Sequence, residues 1–362
     1  MKLGIFLTAG DGLSTMEKSG QLTRFKKYYL SEYSENFEEV YIFSYLNEKI
    51  SGLPKNVYLV QNKYGLHRYV YGILLPFLNI RTVRNCNIFR VFHLSGTIPA
   101  IITKIFFQKP FVFNYAFDYK KFAEIDNNSL AKLLLRAACP LAIRFADNIL
   151  AANKNILKNL PKNKTIYSPN GVDTKVFKPF LVKTKPNHRM NILSVGRMEK
   201  QKNFAALLKA MADLPAKLTI VGNGSLKEEL VDLAKKENID LEIIDKVEND
   251  KMPEMYNRAD IFVLPSLIEG HPKVLLEAMC CGLPVIGTKT EGTNEIIDDR
   301  VNGLLTGIDA ADIRSAIKIF MKNEKLRQSC GSKARRTIIG DYDIKKLVNK
   351  EIKMLKSGNA DN

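Results

Sequence analysis

Short apolar runs alternate with amphipathic stretches along most of the chain. In the first half, strands of buried type are expected at 3–8, 39–43, 57–60, 88–93, 111–114 and 148–151. Helical periodicity lies between several of them, including 21–33, 99–107 and 130–145. A second alternating set follows, with strands at 191–195, 217–221, 241–244 and 261–264 and helices at 204–212, 226–237 and 252–257. Short apolar strands separated by helices predict parallel, doubly wound α/β sheets. The pattern breaks at Ser168-Pro169-Asn170-Gly171-Val172-Asp173, and a Lys/Pro-containing stretch runs on to Asn187. This turn-rich segment reads as an interdomain connection, giving domains at 1–168 and 169–341. An amphipathic helix closes the pattern at about 342–357.

Size agrees with two domains, because 362 residues exceed one ordinary core. Hydrophobic content of 46% and charged content of 26% are those of a globular chain. Five cysteines (Cys86, Cys139, Cys280, Cys281, Cys330) form no C-x-x-C pattern, so reduced thiols in a cytosolic protein are expected. The opening K-L-G-I-F-L reads as a strand entering a glycine loop rather than as a leader.

Charge changes the picture more. The net charge is +17, of which residues 1–168 carry +12, from 23 Lys and Arg against 11 Asp and Glu. Such an excess suits an anionic membrane, an anionic substrate or nucleic acid. No helix-turn-helix, zinc or aromatic-basic RNA pattern accompanies it, which ranks nucleic acid last. Residues 63–84 mix an apolar run with flanking Arg and Tyr. The run at 70–80 is too short to span a bilayer and contains Pro76. It could lie in a membrane interface, or be a buried helix with a few surface arginines.

Candidate chemistry concentrates in the second half. Residues 266–287 read S-L-I-E-G-H-P-K-V-L-L-E-A-M-C-C-G-L-P-V-I-G. Glu269 falls on a loop after the 261–264 strand, and Glu277 inside the helix that follows. Pro272 suits that helix's first turn, and Gly282 its stop. Loops at the carboxyl ends of parallel strands are where open α/β sheets bind ligands. The two carboxylates would reach hydroxyl groups of such a ligand. The alternative is a solvated helix face with a Lys273–Glu277 surface pair. After the 191–195 strand, Gly196-Arg197-Met198-Glu199-Lys200-Gln201-Lys202 places two cations five residues apart. Arg offers a planar fork and Lys a point charge to a diphosphate. The next strand ends in Gly222-Asn223-Gly224, a small-residue loop that a ligand could approach closely. The four histidines are scattered, and no metal-ligand cluster is expected.

The order and spacing of G-R-x5-K-N, V-G-N-G and E-G-H-P-K-V-L-L-E-A-M-x-x-G-x-P-V-I resemble those of glycosyltransferase family 4. S-P-N-G-V-D, E-G-T-N-E-I-I and N-G-L-L add to the likeness, which is tight over about 165–310 and looser before it. The resemblance implies a GT-B fold, with two Rossmann-like domains facing across a cleft, and a nucleoside-diphosphate sugar as donor, UDP- or GDP-linked. It implies that Arg197 and Lys202 bind the diphosphate and that Glu269 binds sugar hydroxyls. Gly196, Gly270 and His271 would line the sugar–phosphate site, Glu277 would hold the ribose, and Gly222, Asn223 and Gly224 would sit near the nucleotide. Gly12 would line the cleft, and Lys18 and Gly20 would meet the acceptor. The family's histidine near the sugar has no counterpart in Asn114-Tyr115-Ala116-Phe117-Asp118; Asp118 and His93 are the candidates for orienting or activating the acceptor, beside the reading of each as an ordinary polar residue.

The expected activity is retaining, metal-independent and cofactor-free sugar transfer to a glycan hydroxyl. The acceptor would be lipid-linked, the setting capsule, exopolysaccharide or lipopolysaccharide synthesis, and the location the cytoplasmic face of the membrane. The alternatives are a nucleotide-sugar 2-epimerase on the same fold and a non-catalytic glycan- or membrane-binding protein.

Overall fold

A computed structural model describes residues 1–115, 138–180 and 189–357. Contacts divide the chain into two compact units, Met1–Pro169 with Lys345–Asn362, and Asn170–Ile344. Asp118 lies outside the described residues.

In the first unit, β1 (Lys2–Phe6), β2 (Glu39–Phe43), β3 (Val57–Val60), β4 (Ile88–Val91), β5 (Phe111–Tyr115), β6 (Asn148–Ala151) and β7 (Thr165–Tyr167) form one sheet. Its order is β3-β2-β1-β4-β5-β6-β7. Every pairing is parallel. β4 and β6 are buried along their whole length, as strands covered on both faces must be. Strand order reverses between β1 and β4, the switch point where the loops after the two strands diverge.

The second unit repeats the plan with β8 (Met190–Val195), β9 (Ala216–Val221), β10 (Leu241–Ile244), β11 (Ile261–Leu264), β12 (Val285–Thr288) and β13 (Leu304–Thr306). Their order is β10-β9-β8-β11-β12-β13, with the switch point between β8 and β11. Two apolar clusters fill the unit, one on each face of the sheet's strands. Phe262 and Leu264 point into one, Ile261 and Val263 into the other.

Several expectations need correction. The 21–33 pattern is helical from Leu22 to Asn36, with a π-helical segment over Lys26–Leu30. Part of the stretch expected to connect domains is packed: Val172 bridges to Asp343, and Phe177 is buried in the second unit's core. The expected continuation at 181–187 lies outside the described residues. β7, β13 and the helices Ala310–Lys322 and Glu324–Asp341 have no counterpart in the strands and helices read from the pattern. Three-residue strands are too short to show a period, and Glu324–Asp341 has a largely polar surface.

The C-terminal helix, Ile344–Ser357, belongs mostly to the first unit, and a buried polar cluster fixes it there. Arg90 on β4 reaches Glu351 through Nε at 2.6 Å and Nη2 at 3.3 Å. The Tyr33 hydroxyl donates to the same carboxylate at 2.5 Å, and the guanidinium stacks 4.3 Å from the Phe92 ring centroid. Burial works against the Arg90 charge, but Glu351 and the nearby tyrosines hold its pKa above the ordinary value. Removing one member strands the other as an unpaired charge in the core. Glu351→Ala is expected to destabilise the first unit by about 3–5 kcal/mol, whereas Arg90→Met with Glu351→Leu should recover most of that loss. Urea unfolding of the two variants beside the parent checks this.

Candidate active site

Three strand-end loops meet at the carboxyl edge of the second sheet, and backbone contact holds them together. Gly196 N–H donates to Val221 O at 3.0 Å, and Met198 N–H to Asn223 O at 2.9 Å. The approach is so close that a Cβ on Gly222 would stand 1.9 Å from Gly196 O, and one on Gly224 would stand 2.5 Å from Met198 O. Gly222 also has φ +147°, a conformation closed to most residues. The V-G-N-G glycines therefore let the neighbouring loop approach this closely.

The loop after β8 is stitched in turn to the loop after β11. Leu267 N–H donates to Gln201 O at 2.9 Å, and Gln201 Nε2 to Ile268 O at 2.9 Å. Asn203 sits in the left-handed region at φ 53°, and its amide donates to Pro265 O at 3.2 Å and Ile308 O at 2.9 Å. A third link comes from the helix Glu291–Ile296, where Gly292 N–H donates to Glu269 O at 3.0 Å.

This framework brings Lys202 and Glu269 into a 2.5 Å ion pair, with side-chain exposures of 16% and 9%. The residue expected to hold phosphate and the one expected to hold sugar hydroxyls thus face each other across the β8–β11 switch point. Arg197 is exposed, two residues beyond β8. Glu277 is buried in the helix Lys273–Cys280, which excludes a solvated face. It accepts from the Tyr256 hydroxyl at 2.9 Å. Burial, followed by the Glu277 charge, raises the Tyr256 pKa far above its ordinary value, so Tyr256 remains a donor. Pro272 stands just before this helix as its N-cap, one residue earlier than its first turn, and Gly282 follows its end at φ +74°.

His271 is buried, and neither ring nitrogen has a partner among the described residues; the same holds for Ser266 Oγ on the same loop. Asn170 donates to His271 O at 2.8 Å and anchors the loop from below. Buried polar atoms without partners are uncommon. A neutral imidazole, with one donor and one acceptor nitrogen, suits hydroxyl groups. Tyr256, Gln201 and Asn170 were not among the residues singled out from sequence. Tyr256 sits in a short helix whose only pattern is apolar, and nothing local marks its hydroxyl.

The first unit holds a separate polar group at its own switch point. His93, after β4, lies in Coulombic reach of Asp11, after β1, and its Nδ1 lies 3.2 Å from Ser95 Oγ. Burial lowers the His93 pKa and raises that of Asp11. Gly12 is buried, and a Cβ there would meet Glu48 Oε1 at 2.5 Å. Glu48 accepts from the N–H groups of Leu13 and Ser14 at 2.9 and 2.8 Å, so a carboxylate already fills that helix start. Lys18 ends the helix Leu13–Lys18, and Gly20 follows at φ +72°; both are exposed. Among the described residues, no group of three His, Cys, Asp or Glu side chains could hold a metal ion.

Burial drives the His271 pKa from 6.5 down to about 3. Below pH 6.5 the unfolded chain takes up a proton that the folded one refuses, so stability falls with falling pH down to about 3. Between pH 7 and pH 5 this group should remove about 2 kcal/mol of stability. His271→Phe should flatten that part of the acid limb in urea titrations of the second unit. Independently, Gly222→Ala should cost about 1–3 kcal/mol through backbone strain, and more if the loops separate.

Comparisons with known proteins match part of the chain to one family and nearly all of it to solved folds. The family described as "Glycosyl transferases group 1" matches residues 180–337. A curated relative is the N-acetylgalactosamine-N,N'-diacetylbacillosaminyl-diphospho-undecaprenol 4-alpha-N-acetylgalactosaminyltransferase of Campylobacter jejuni. It is 31% identical over 245 residues, which span 63% of this chain and 65% of that protein. The alignment thus covers somewhat under two thirds of the relative's length. Sucrose-phosphate synthase from Thermosynechococcus elongatus superposes with a TM-score of 0.81 at 16% identity, covering 99% of this chain and 98% of its own. HepE of Anabaena, solved in complex with UDP, gives a TM-score of 0.77 at 18% identity, covering 99% and 100%. The second unit thus carries the pattern of the group 1 glycosyl transferases, and the chain has the two parallel-sheet units of the GT-B fold.

Proposed function

We propose that the chain transfers a sugar from a nucleoside-diphosphate sugar to a hydroxyl of a growing, lipid-linked glycan. The observation that carries this reading is the part-buried Lys202–Glu269 pair at the β8–β11 switch point. A cation and a carboxylate in one partly enclosed place match a ligand with a diphosphate at one end and hydroxyls beside it. Cleavage of the anomeric C–O bond leaves its electron pair on the diphosphate. Lys202 and Arg197 stabilise that charge, and no bound metal or cofactor is required for it. Glu269, released from Lys202, accepts from the sugar hydroxyls, and His271 stands beside them. Glu277, oriented by Tyr256, accepts from the ribose. The acceptor oxygen forms the new bond to the anomeric carbon, and its proton leaves to the diphosphate or to a nearby base. Among the described residues of the first unit, Asp11 and His93 form a titratable pair at that unit's own switch point. Retention of configuration follows the family resemblance. HepE binds UDP, and the C. jejuni relative is named for an undecaprenyl-diphosphate acceptor; both support the donor class and the acceptor class here. Capsule, exopolysaccharide or lipopolysaccharide assembly at the cytoplasmic face of the membrane is the setting we assign.

Thermal unfolding against a panel of UDP- and GDP-sugars, with and without magnesium, tests the donor site. One nucleotide series should stabilise the protein without magnesium, by about 2.7 kcal/mol at one hundred times Kd. Glu277→Ala should abolish the response, and Tyr256→Phe should weaken affinity by about 1.5–3 kcal/mol. Lys202→Ala should lower sugar transfer or donor hydrolysis on the order of 10²–10³-fold. No response to any nucleotide sugar would overturn the reading in favour of a non-catalytic binding protein.

A further inference from the structure

The helix Arg68–Leu78 buries one apolar face and exposes another. Tyr71, Gly72, Leu75 and Pro76 pack inward. Val70, Ile73, Leu74 and Phe77, spaced i, i+3, i+4, i+7, face out and are exposed by 39–52%. Surface helices of water-soluble units turn a polar face outward. Here the outer face is apolar, and a second helix extends it. On Thr97–Phe107, Ile105 and Phe106 are exposed, Phe106 by 64%, and the Phe77 and Phe106 rings meet edge-on at 5.2 Å. A continuous apolar patch of this kind marks an interaction surface.

Charge selects the partner. From Lys49 to Phe117 the chain carries nine Lys and Arg and no Asp or Glu. Arg81 and Arg84 follow the apolar stripe and are exposed; the Arg84 guanidinium lies 5.9 Å from the Phe107 ring centroid, and Lys109 donates to Arg84 O at 2.8 Å. A protein partner would have to be acidic and apolar at once, whereas an anionic bilayer offers both chemistries in register with depth. No helix among the described residues is long and apolar enough to cross a membrane. An 11-residue helix spans about 16 Å, which suits the interface and not the core.

We propose that this two-helix face docks the first unit on an anionic lipid surface. Val70, Ile73, Leu74, Phe77, Ile105 and Phe106 enter the acyl boundary, and Arg81 and Arg84 meet the headgroups. The same helix begins at Arg68, whose side chain lies against Gly10 in the loop after β1; a Cβ on Gly10 would come within 3.0 Å of Arg68 Cδ. The docked face and the unit's strand-end loops are thus joined by one rigid element. The purpose, though not the docking itself, rests on the lipid-linked acceptor proposed above.

Co-sedimentation of the full chain without nucleotide tests the surface. Vesicles containing phosphatidylglycerol should bind it at least tenfold more tightly than phosphatidylcholine alone, with the difference shrinking as salt rises. Ile73→Ser with Phe106→Ser should lower binding to anionic vesicles at least tenfold with an unchanged melting transition. Arg81→Gln with Arg84→Gln should lower it several-fold and flatten the salt dependence. Equal binding to both vesicle types, or a double serine variant that binds like the parent, would overturn the proposal. So would a dimer in sedimentation velocity that the serine variant dissociates, since a second copy would then cover the face. Vesicle binding in a protein that ignores every nucleotide sugar supports this surface and counts only against the transferase reading.

Discussion

Everything at the second unit's site depends on how closely two backbones approach. The loop after β8 lies against the loop after β9 at a distance that only glycine at 222 and 224 permits. That contact sets the path of residues 196–203, and the path sets where Lys202 arrives. Asn203 then turns the chain in the left-handed region and donates to Pro265 O, which fixes the loop after β11 against it. The Lys202–Glu269 pair is the last step in this sequence. Its geometry follows from backbone hydrogen bonds and not from the flexibility of a long side chain.

The first unit is organised by a different constraint. Arg90 is a charge on a central strand, buried in the core, and its compensation comes from Glu351, 261 residues further along the chain. Such a pair adds less stability than well-packed apolar groups would, but it admits one register of the closing helix. Glu48 plays a comparable part at smaller scale. It accepts from two helix N–H groups and the Ser44 hydroxyl, and these bonds hold its carboxyl below the ordinary range despite burial.

The fold was legible because parallel strands covered on both faces leave continuous apolar runs, as at 88–91 and 261–264, and because helices between them carry the 3.6-residue period. The placement of Arg197, Lys202, Glu269 and Glu277 on or just after strand-end loops was legible because those loops follow such strands. What remained hidden has physical reasons. β7 and β13 have three residues each, too few for any period. Tyr256 contributes one hydroxyl from a helix that otherwise reads as apolar filling. The requirement for Gly222 was visible, but its cause was not, since the clash lies with a loop 26 residues earlier. The outward stripe on Arg68–Leu78 could not be separated from a buried helix by sequence, because apolar residues occupy both faces and only the packing shows which one is covered.

The ion pair between Lys202 and Glu269 has a consequence for discrimination. Within the pair each charge satisfies the other. A small anion that captures Lys202 alone leaves a carboxylate enclosed and uncompensated, and a neutral sugar that engages Glu269 alone leaves an ammonium in the same condition. Each half of the ligand therefore meets an opposing penalty when it comes by itself. Only a molecule that brings phosphate and hydroxyls together, joined at the spacing of the two loops, leaves no charge stranded. On the donor reading proposed above, the site would work as a coincidence detector: free phosphate and free sugars would each be refused by the same contact that an intact conjugate replaces on both sides at once.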